Sequence, residues 1–334
     1  MHAWSGLDEQ PPVPERPRLK PWFRLAEAGE AVVLEHGQSA IVFEGRAARR
    51  LLPCLLPLLD GSRRVAELAP ELGWDSEAGV EHALRVLHEH GLLLDGPGLD
   101  PAEAVGVVDA VEFLASATPG SQVPAIRTSL ADAAVEVVGG GAPVAMLIEL
   151  LRASGVGHVA SAPWETSAER SRARLVVVVP SGGEVAEVAR LNRRLVEGGG
   201  VWLQVLPFDG RFAAIGPLYV PGETCCFECY RLRRLGTSGY PAEFAALEET
   251  RLEAPAGPAL NATVAGVAAT LVLRWLAHRD HALPGAFYAC EGAGTALTNH
   301  RVYRVPRCPV CSGLDDVAPP LPWYKETTPA EVVL

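Results

Sequence analysis

Two pairs of cysteines with the same spacing constrain the fold of this chain more than any other feature. Cys226 and Cys229 form one Cys-x-x-Cys pair, and Cys308 and Cys311 form a second pair much further along the chain. Each pair can direct two sulfurs at one ion, and two pairs complete a closed tetrahedral site of four thiolates. Such a site stabilises a fold and leaves no open position for chemistry. We therefore predict a structural Zn²⁺ ion held by these four cysteines.

The sequence leaves two other interpretations of the cysteines open, namely unrelated reduced thiols and a redox pair. Thioredoxin-type chemistry needs one exposed Cys-x-x-Cys pair at a helix N-terminus, whereas two distant pairs are more typical of a metal clasp. Cys225 lacks the right spacing to Cys229 and is predicted not to be a ligand. Cys54 and Cys290 lie among apolar or small residues and are predicted to be core thiols.

Length and charge limit the class of protein. The 334 residues are enough for two folded units, since a single domain usually holds about 100 to 200 residues. The net charge of -11 disfavours binding to nucleic acid or to an acidic membrane, both of which attract basic proteins. Residues 1–14 contain no apolar run typical of a signal sequence, and no later stretch reaches ~18 uninterrupted apolar residues. We therefore expect a cytoplasmic protein with neither a nucleic-acid nor a membrane partner.

The first folded unit is predicted over residues 17–98, after a flexible tail of residues 1–16. Three short apolar runs around Leu25, Leu34 and Phe43 are separated by glycines, as in strands joined by tight turns. Two short helical stretches follow, and prolines interrupt the first of them. A third helix, closed by glycine, carries apolar residues at helical spacing. Three strands followed by three helices predict a small winged-helix domain of the α+β class.

A second domain is predicted over residues 131–318, after a linker with one helix at 99–130 and before an extended tail at 319–334. Three unalternating β-branched runs are typical of strands buried on both faces of a parallel sheet. Helical stretches lie between them, which predicts an α/β domain of the Rossmann type with crossover connections. The three runs are residues 135–138, 175–179 and 201–206.

A glycine-rich turn, Gly139, Gly140 and Gly141, follows the first of these runs and precedes a helix. Backbone N–H groups in such a turn can receive a phosphate, although many strand-to-helix turns have a purely structural role. The third glycine of the dinucleotide fingerprint is replaced by Val144, and residues 157–162 offer no carboxylate for a ribose. We therefore predict a degenerate nucleotide loop and expect no bound ATP.

From Val135 to Cys311 the chain resembles the ThiF/MoeB-like, ubiquitin-activating superfamily. The resemblance is carried by the glycine turn, by the segment from Gly216 to Cys229, by an apolar helix that starts at Asn261, and by the last cysteine pair. It implies adenylation of a carboxylate, yet the acidic and basic residues of that reaction are not found at the matching positions. It also implies a homodimer interface on the apolar helix, with core packing as the alternative.

The first unit resembles the PqqD-like peptide-recognition fold through the segments 55–68 and 87–93. A peptide-binding winged helix followed by a degenerate ThiF-like domain resembles the ocin-ThiF-like partner proteins of cyclodehydratases. These proteins act in pathways of thiazole/oxazole-modified microcins, a group of bacteriocins. The resemblance implies a chain without catalytic residues that binds the leader of a ribosomal precursor peptide. It would present the core of that peptide to a YcaO-type enzyme, which uses ATP to form azolines.

Leader recognition is predicted to occur by strand addition, in which an extended peptide pairs with a free sheet edge. The third helix is predicted to form the wall of the pocket, although apolar residues at helical spacing are more often core. If these apolar residues belong to the core, the helix would instead select leaders by their charge, through Glu77, Glu81 and Arg85. The predicted peptide-binding residues are Ser39, Ala40, Ile41, Val42, Phe43, Val80, Leu84 and Leu87.

Two other functions remain open from the sequence. A winged helix can bind DNA through its third helix, but that helix carries Glu77, Glu81 and Glu89 against Arg85 alone. A helix that reads a DNA groove normally needs cations to contact phosphates, so this function is disfavoured. The second alternative is an active ATP-dependent adenylyltransferase, which would release pyrophosphate.

Overall fold

The computed structural model describes most of the chain, and its secondary structure falls into two compact units. The first unit is Met1–Ala133 with Leu151–His158 and Leu273–Arg279, and the second is Ala134–Leu150, Val159–Val272 and Asp280–Leu334. The predicted tails, linker and domain boundaries stay predictions. The described residues are 12–20, 23–29, 31–36, 39–73, 77–100, 102–117, 122–166, 168, 171, 173–248, 250, 254–292 and 296–312.

The first unit begins with strands and continues with helices. Its strands are β1 (Pro17–Leu19), β2 (Arg24–Ala28), β3 (Ala31–His36), β4 (Ser39–Glu44) and β5 (Leu93–Asp95). Its helices are α1 (Arg46–Leu55), α2 (Val65–Glu71), α3 (Glu77–Glu89), α4 (Val105–Ala117) and α5 (Val123–Ala131). α1 continues through Pro53 to Leu55, and a separate 3₁₀ turn with Pro57 in its first positions follows at Leu56–Leu58, so the predicted interruption lies at the second proline.

β2, β3 and β4 form an antiparallel sheet with β3 in the centre, which confirms the three predicted strands. Val32 and Leu34 on β3 are fully buried in a cluster that also holds apolar residues of α1, α2 and α3. The order of three strands and three helices is therefore as predicted. Assignment of this order to the winged-helix fold remains a prediction.

Two helices, α4 and α5, occupy the segment where one helix was predicted. α5 begins at Val123 with Pro124 in its first turn. Proline is well tolerated at the first helical positions, where the missing N–H group would be unpaired anyway. The sequence interpretation assigned a linker and a single helix to this segment and therefore missed α5.

A buried ion pair joins β1 to α4 within the first unit. Arg18 donates two hydrogen bonds to Glu112, both with an N–O distance of 2.7 Å. The two side chains are only 11% and 9% exposed. Nearby, the Lys20 ammonium donates to the Ser116 carbonyl at 3.3 Å, and burial lowers the pKa of Lys20. The cationic side chains of Arg18 in β1 and of Lys20 just after it therefore both bind α4.

The second unit is built on a seven-stranded sheet. Its strands are β6 (Ala134–Gly139), β7 (His158–Ala162), β8 (Arg174–Val179), β9 (Trp202–Leu206), β10 (Phe212–Tyr219), β11 (Ala286–Glu291) and β12 (Leu297–Arg301). Its helices are α6 (Ala142–Ala153), α7 (Val185–Gly198), α8 (Phe227–Thr237), α9 (Pro241–Glu248) and α10 (Pro258–His278).

The sheet is mixed, which corrects the prediction of a parallel sheet. Its order is β12-β11-β10-β9-β8-β6-β7. β6, β8 and β9 run parallel, as their β-branched runs predicted, whereas β10, β11 and β12 continue the sheet by antiparallel pairing. The short connection from β9 to β10 makes that pairing antiparallel, since a parallel neighbour needs a long crossover. β12 forms one edge of the sheet, and all five of its residues are exposed.

α10 begins at Pro258, so Asn261 lies inside the helix and does not start it as predicted. The Asn261 N–H group already donates to the Gly257 carbonyl at 3.1 Å. By length and composition α10 could cross a membrane, and half of its most apolar window is buried within the protein. No other helix of the described residues meets that test.

Candidate metal centre and peptide-binding edge

The four predicted metal ligands come together in the second unit. Cys226 is the residue that precedes α8, and Cys229 lies in its first turn, so both sulfurs point to one side of the helix end. Cys308 and Cys311 follow β12 in a tight turn, in which the Ser312 N–H group donates to the Cys308 carbonyl at 3.2 Å. All four Sγ atoms lie within 4.8 Å of one another.

The spacing of these sulfurs fits a tetrahedral ion. The Sγ–Sγ distances are 4.0 Å for Cys226–Cys229, 3.7 Å for Cys226–Cys308 and 3.4 Å for Cys229–Cys311. Zn–S bonds of about 2.3 Å in a tetrahedron place neighbouring sulfurs about 3.8 Å apart. A disulfide needs an S–S bond of about 2.05 Å, so no two of these sulfurs are bonded. The cluster can therefore hold a metal ion, as the sequence predicted.

The surroundings of the cluster favour a cation. Cys226, Cys229 and Cys308 are buried, and the Val305 N–H group donates to the Cys229 sulfur at 3.3 Å. Burial raises the pKa of the Cys311 thiol to about 11. Thiols crowded together in this way cannot all ionise unless a positive ion compensates them. A metal ion would supply that compensation, and the backbone N–H group would orient one of its ligands.

The other cysteines lie outside the cluster. Cys225 is buried and is not a member of it, in agreement with its predicted role, and burial raises the pKa of its thiol to about 12. Cys290 is buried, as predicted for a core thiol. Cys54 is exposed, which corrects the prediction of a core thiol. It lies on α1 beside the buried Leu51 and Leu55 but is itself exposed, so its apolar neighbours in sequence misled the interpretation.

The glycine turn makes a tight connection between β6 and α6. Gly139 has a φ of 114°, and a Cβ atom there would lie 1.9 Å from the Val179 carbonyl oxygen of the neighbouring strand. Gly141 also has a positive φ, of 93°. Only glycine fits the first of these positions, because of both its backbone angle and its contact. The close approach of two strands therefore accounts for Gly139, and the positive φ accounts for Gly141.

The carboxylates that follow the neighbouring strands are used locally. Glu184, beyond β8, accepts a hydrogen bond from the Ser181 N–H group at 2.6 Å. Asp209, beyond β9, accepts from the N–H groups of Arg211 and Phe212 at 2.9 and 2.8 Å. Glu165 follows β7 by three residues and is exposed, and the sequence interpretation did not consider it. In this part of the described chain, two of the three carboxylates thus stabilise their own turns.

The predicted peptide edge, Ser39–Phe43, lies on β4, and β4 pairs with no strand other than β3 among the described residues. Ile41 and Phe43 pack against the core of the first unit, whereas Ala40 and Val42 face away from it. Val42 is 53% exposed. The side chain of Ser39 lies outside the described part. The edge thus offers a free row of backbone groups and one exposed apolar side chain.

The predicted pocket wall on α3 is corrected by the burial of its residues. Val80, Leu84 and Leu87 are at most 1% exposed and pack in the core cluster with residues of β3 and α1. Their side chains therefore have no surface that a peptide can contact. The exposed residues of α3 include Glu77, Glu81 and Arg85, on which a charge preference would depend.

Comparison with known proteins gives structural neighbours only. No family model matches the sequence and no curated protein matches it significantly. A structure of the heterocyclase TruD matches with a TM-score of 0.66 and 25% identity, over 89% of this chain and 43% of that chain. A heterocyclase in complex with substrate and cofactor matches with a TM-score of 0.63 and 22% identity, over 88% and 39%. E. coli MccB with ATP matches with a TM-score of 0.62 and 15% identity, over 88% and 99%.

These neighbours place the fold among heterocyclase-related and MccB-like proteins, which supports the family resemblance derived from the sequence. The chain spans less than half the length of the two heterocyclases and almost the whole of MccB. The protein class defined by fold and site is thus a two-unit α/β protein with a four-cysteine cluster that can hold a metal.

Proposed function

We propose that this chain binds the leader of a ribosomal precursor peptide and recruits that peptide to a YcaO-type, ATP-dependent cyclodehydratase, which forms the azolines. In this proposal the chain itself carries no catalytic residue. The observation that supports it most is the structural match of 88–89% of this chain to two heterocyclases, of which it spans 39% and 43%.

The free edge of β4 supports strand addition of the leader. An extended peptide that pairs there would gain main-chain hydrogen bonds and could cover the exposed Val42 side chain. Backbone pairing is largely independent of sequence, so side chains beside the edge would provide the specificity. We propose that β4 is the leader site and that residues of α3 contribute charge.

We propose that the four-cysteine cluster holds a structural Zn²⁺ ion. Cys226, Cys229, Cys308 and Cys311 would fill all four coordination positions, so the ion would stabilise the second unit without activating a substrate. Zinc–thiolate sites need reduced cysteines, which agrees with the proposed cytoplasmic location. We also retain the homodimer as a proposal without assigning its surface.

An active adenylyltransferase is the alternative function, and its support is the match to nearly the full length of MccB, which was solved with ATP. The glycine turn lies between β6 and α6, in a strand-to-helix connection where backbone N–H groups could receive a phosphate. Against it, Glu184 and Asp209 bind backbone groups of their own turns and have fewer lone pairs left for a magnesium ion. DNA binding is disfavoured by the exposed Glu77, Glu81 and Glu89 on α3.

Exchange of labelled pyrophosphate separates the adaptor from the adenylating enzyme. We expect no magnesium-dependent exchange by the full-length chain, with or without precursor peptide, because Glu184 and Asp209 already bind backbone groups of their own turns. The precursor should instead lose water only when the chain, the YcaO-type protein and ATP are all present, as measured by mass spectrometry. Exchange by the chain alone would overturn the adaptor function.

Replacing Val42 by aspartate is expected to weaken leader binding about tenfold. The change removes an apolar contact worth about 1.5 kcal/mol, and about 1.4 kcal/mol corresponds to a factor of ten in affinity. Titration of a fluorescent leader peptide onto the full-length chain measures the effect. The matched control is Leu25→Asp, because Leu25 is 50% exposed on β2, the other edge strand of the same sheet. Equal loss in both variants, or no saturable binding to the unmodified chain, would refute the β4 site.

A further inference from the structure

An exposed cationic surface lies beside the metal cluster in the second unit. It consists of Arg233 on α8 and of Tyr303, Arg304 and Arg307, which lie between β12 and Cys308; we name these four residues the arginine surface. All four are exposed, and Tyr303 is 65% exposed. Arginine and tyrosine are enriched in the centres of protein–protein interfaces, so this combination is typical of a docking site.

Backbone carbonyl groups hold two of the guanidinium groups in place. Arg233 donates to the carbonyls of Tyr303 and Arg304 at 2.6 and 2.9 Å. Arg304 donates to the Gly222 carbonyl at 3.2 Å and also to the Cys311 carbonyl. A carbonyl group orients a guanidinium group but carries no net charge. The two cations are therefore fixed on the surface without being neutralised.

Among the described residues, no acidic side chain forms an ion pair with these cations, including the exposed Glu223 beside Gly222. Glu228 on α8 and Glu248 at the end of α9 both pair with Arg231. Residues 296–312 contain three arginines and no aspartate or glutamate, in a chain whose net charge is -11. Within the described part of the chain, Arg233, Arg304 and Arg307 form no ion pair, and the Arg307 side chain makes no hydrogen bond.

The charge of the metal site is the competing explanation for these arginines. A divalent ion with four thiolates carries a net charge of about −2, which two arginines could balance. However, Arg233 and Arg304 donate to carbonyl oxygens and not to sulfur. Arg307 would remain in excess even if those two cations were counted against the thiolates. The surface therefore carries more positive charge than the metal site requires.

We propose that the arginine surface docks an acidic surface of a protein partner, which is the cyclodehydratase subunit of the proposed function. This inference rests on that function. Charge complementarity would steer the encounter and fix the orientation of the two proteins. A protein partner fits better than a nucleic acid, because the net charge of -11 repels a polyanion that extends beyond the patch. Salt screens charges that lie more than about 8–10 Å apart. A small acidic patch on a partner would therefore interact mainly with the arginines and only weakly with the distant negative charges of this chain.

Arg307 allows a test that separates docking from stability. Its φ is 60°, in the left-handed region that favours glycine, and its side chain makes no bond to the metal cluster. Arg307→Gly should therefore remove the charge and maintain or increase stability, whereas Arg307→Glu reverses the charge. The matched control is Arg193→Glu, since Arg193 is exposed on α7 and forms no ion pair within the described residues.

The experiment measures the affinity of the full-length chain for the YcaO-type protein encoded nearest to its gene, at low and at high salt. We expect Arg307→Glu to weaken the complex roughly tenfold and Arg307→Gly roughly threefold, with Arg193→Glu unchanged. The loss should be smaller at high salt, and metal content should be the same in all variants. Unchanged affinity of Arg307→Glu, or an equal loss in Arg193→Glu, would overturn the proposal. Loss of metal from Arg307→Gly, or tighter binding to duplex DNA than to the protein, would also overturn it.

Leader binding by the same samples separates this inference from the proposed function. If the unmodified chain fails to bind any leader, the proposed function is wrong. If it binds the leader and the YcaO-type protein, and Arg307→Glu retains both affinities, only the arginine surface is wrong. Intact leader binding together with a weakened partner complex in Arg307→Glu supports both.

Discussion

Replacing Cys229 by serine is expected to release the metal ion and to lower the melting temperature of the second unit by about 10 °C or more. The Cys229 sulfur lies 4.0 Å from that of Cys226 and 3.4 Å from that of Cys311, at the centre of a buried cluster. A serine hydroxyl is a much weaker ligand than a thiolate, so the site keeps only three strong ligands and loses affinity for the ion. Losing a structural metal costs several kcal/mol, and each kcal/mol shifts the melting temperature by about 2–4 °C in a domain of this size.

Metal content and thermal unfolding measure this effect, and the neighbouring residue provides the control. Cys225→Ser changes a buried thiol that is not part of the cluster, so it should retain one metal ion per chain. The stability of Cys225→Ser should fall only by the free energy needed to bury the serine hydroxyl group. If Cys229→Ser retains a full metal ion, or if the purified unmodified chain binds no zinc, the structural zinc site is wrong.

Replacing Glu112 by alanine is expected to destabilise the first unit by about 3–5 kcal/mol. Both oxygens of Glu112 accept hydrogen bonds from Arg18, and both side chains are nearly buried. The substitution would leave the Arg18 guanidinium group buried without its counter-charge. The Nε atom of Arg18 is already buried without a hydrogen-bond partner, so little remains to satisfy the cation. The loss in the free energy of unfolding is measured by urea titration of the full-length chain, with a spectroscopic probe placed in the first unit.

A double variant tests whether the unpaired charge causes that loss. Arg18→Met together with Glu112→Leu removes both charges and replaces them by apolar side chains of similar length. We expect the double variant to be more stable than Glu112→Ala, because replacing a buried pair by packed apolar residues is often close to neutral. If Glu112→Ala costs less than about 1 kcal/mol, the pair behaves like one at the protein surface.

The parts of the fold with a repeated local signal were predictable from the sequence. The β-branched runs identified β6, β8 and β9 because strands buried on both faces must be apolar at consecutive positions. The cysteine pairs identified the metal cluster because a tetrahedral ion restricts its ligands to few spacings. In both cases a physical requirement determines several residue types at once.

Other features depend on tertiary contacts that leave no such pattern. β12 lacks an apolar run, and the apolar residues of β10 and β11 do not reveal the direction of pairing, so the antiparallel addition of these strands to the sheet was missed. The apolar stripe of α3 was assigned in part to peptide binding, although a stripe that packs in a core has the same spacing. The pairing of Arg18 with Glu112 connects residues far apart in the chain, and neither has a local signature. The arginine surface likewise forms only when α8 and the segment after β12 meet.

The position of the metal cluster next to β12 has a consequence for self-association. β12 is an outer strand with every residue exposed, and unpaired backbone groups on such a strand are a template for other chains. The loop that follows it is tied through Cys308 and Cys311 to the end of α8. Coordination of the proposed Zn²⁺ ion by this cluster would keep the edge strand attached to the sheet, and would thereby protect the protein from aggregation as well as from unfolding.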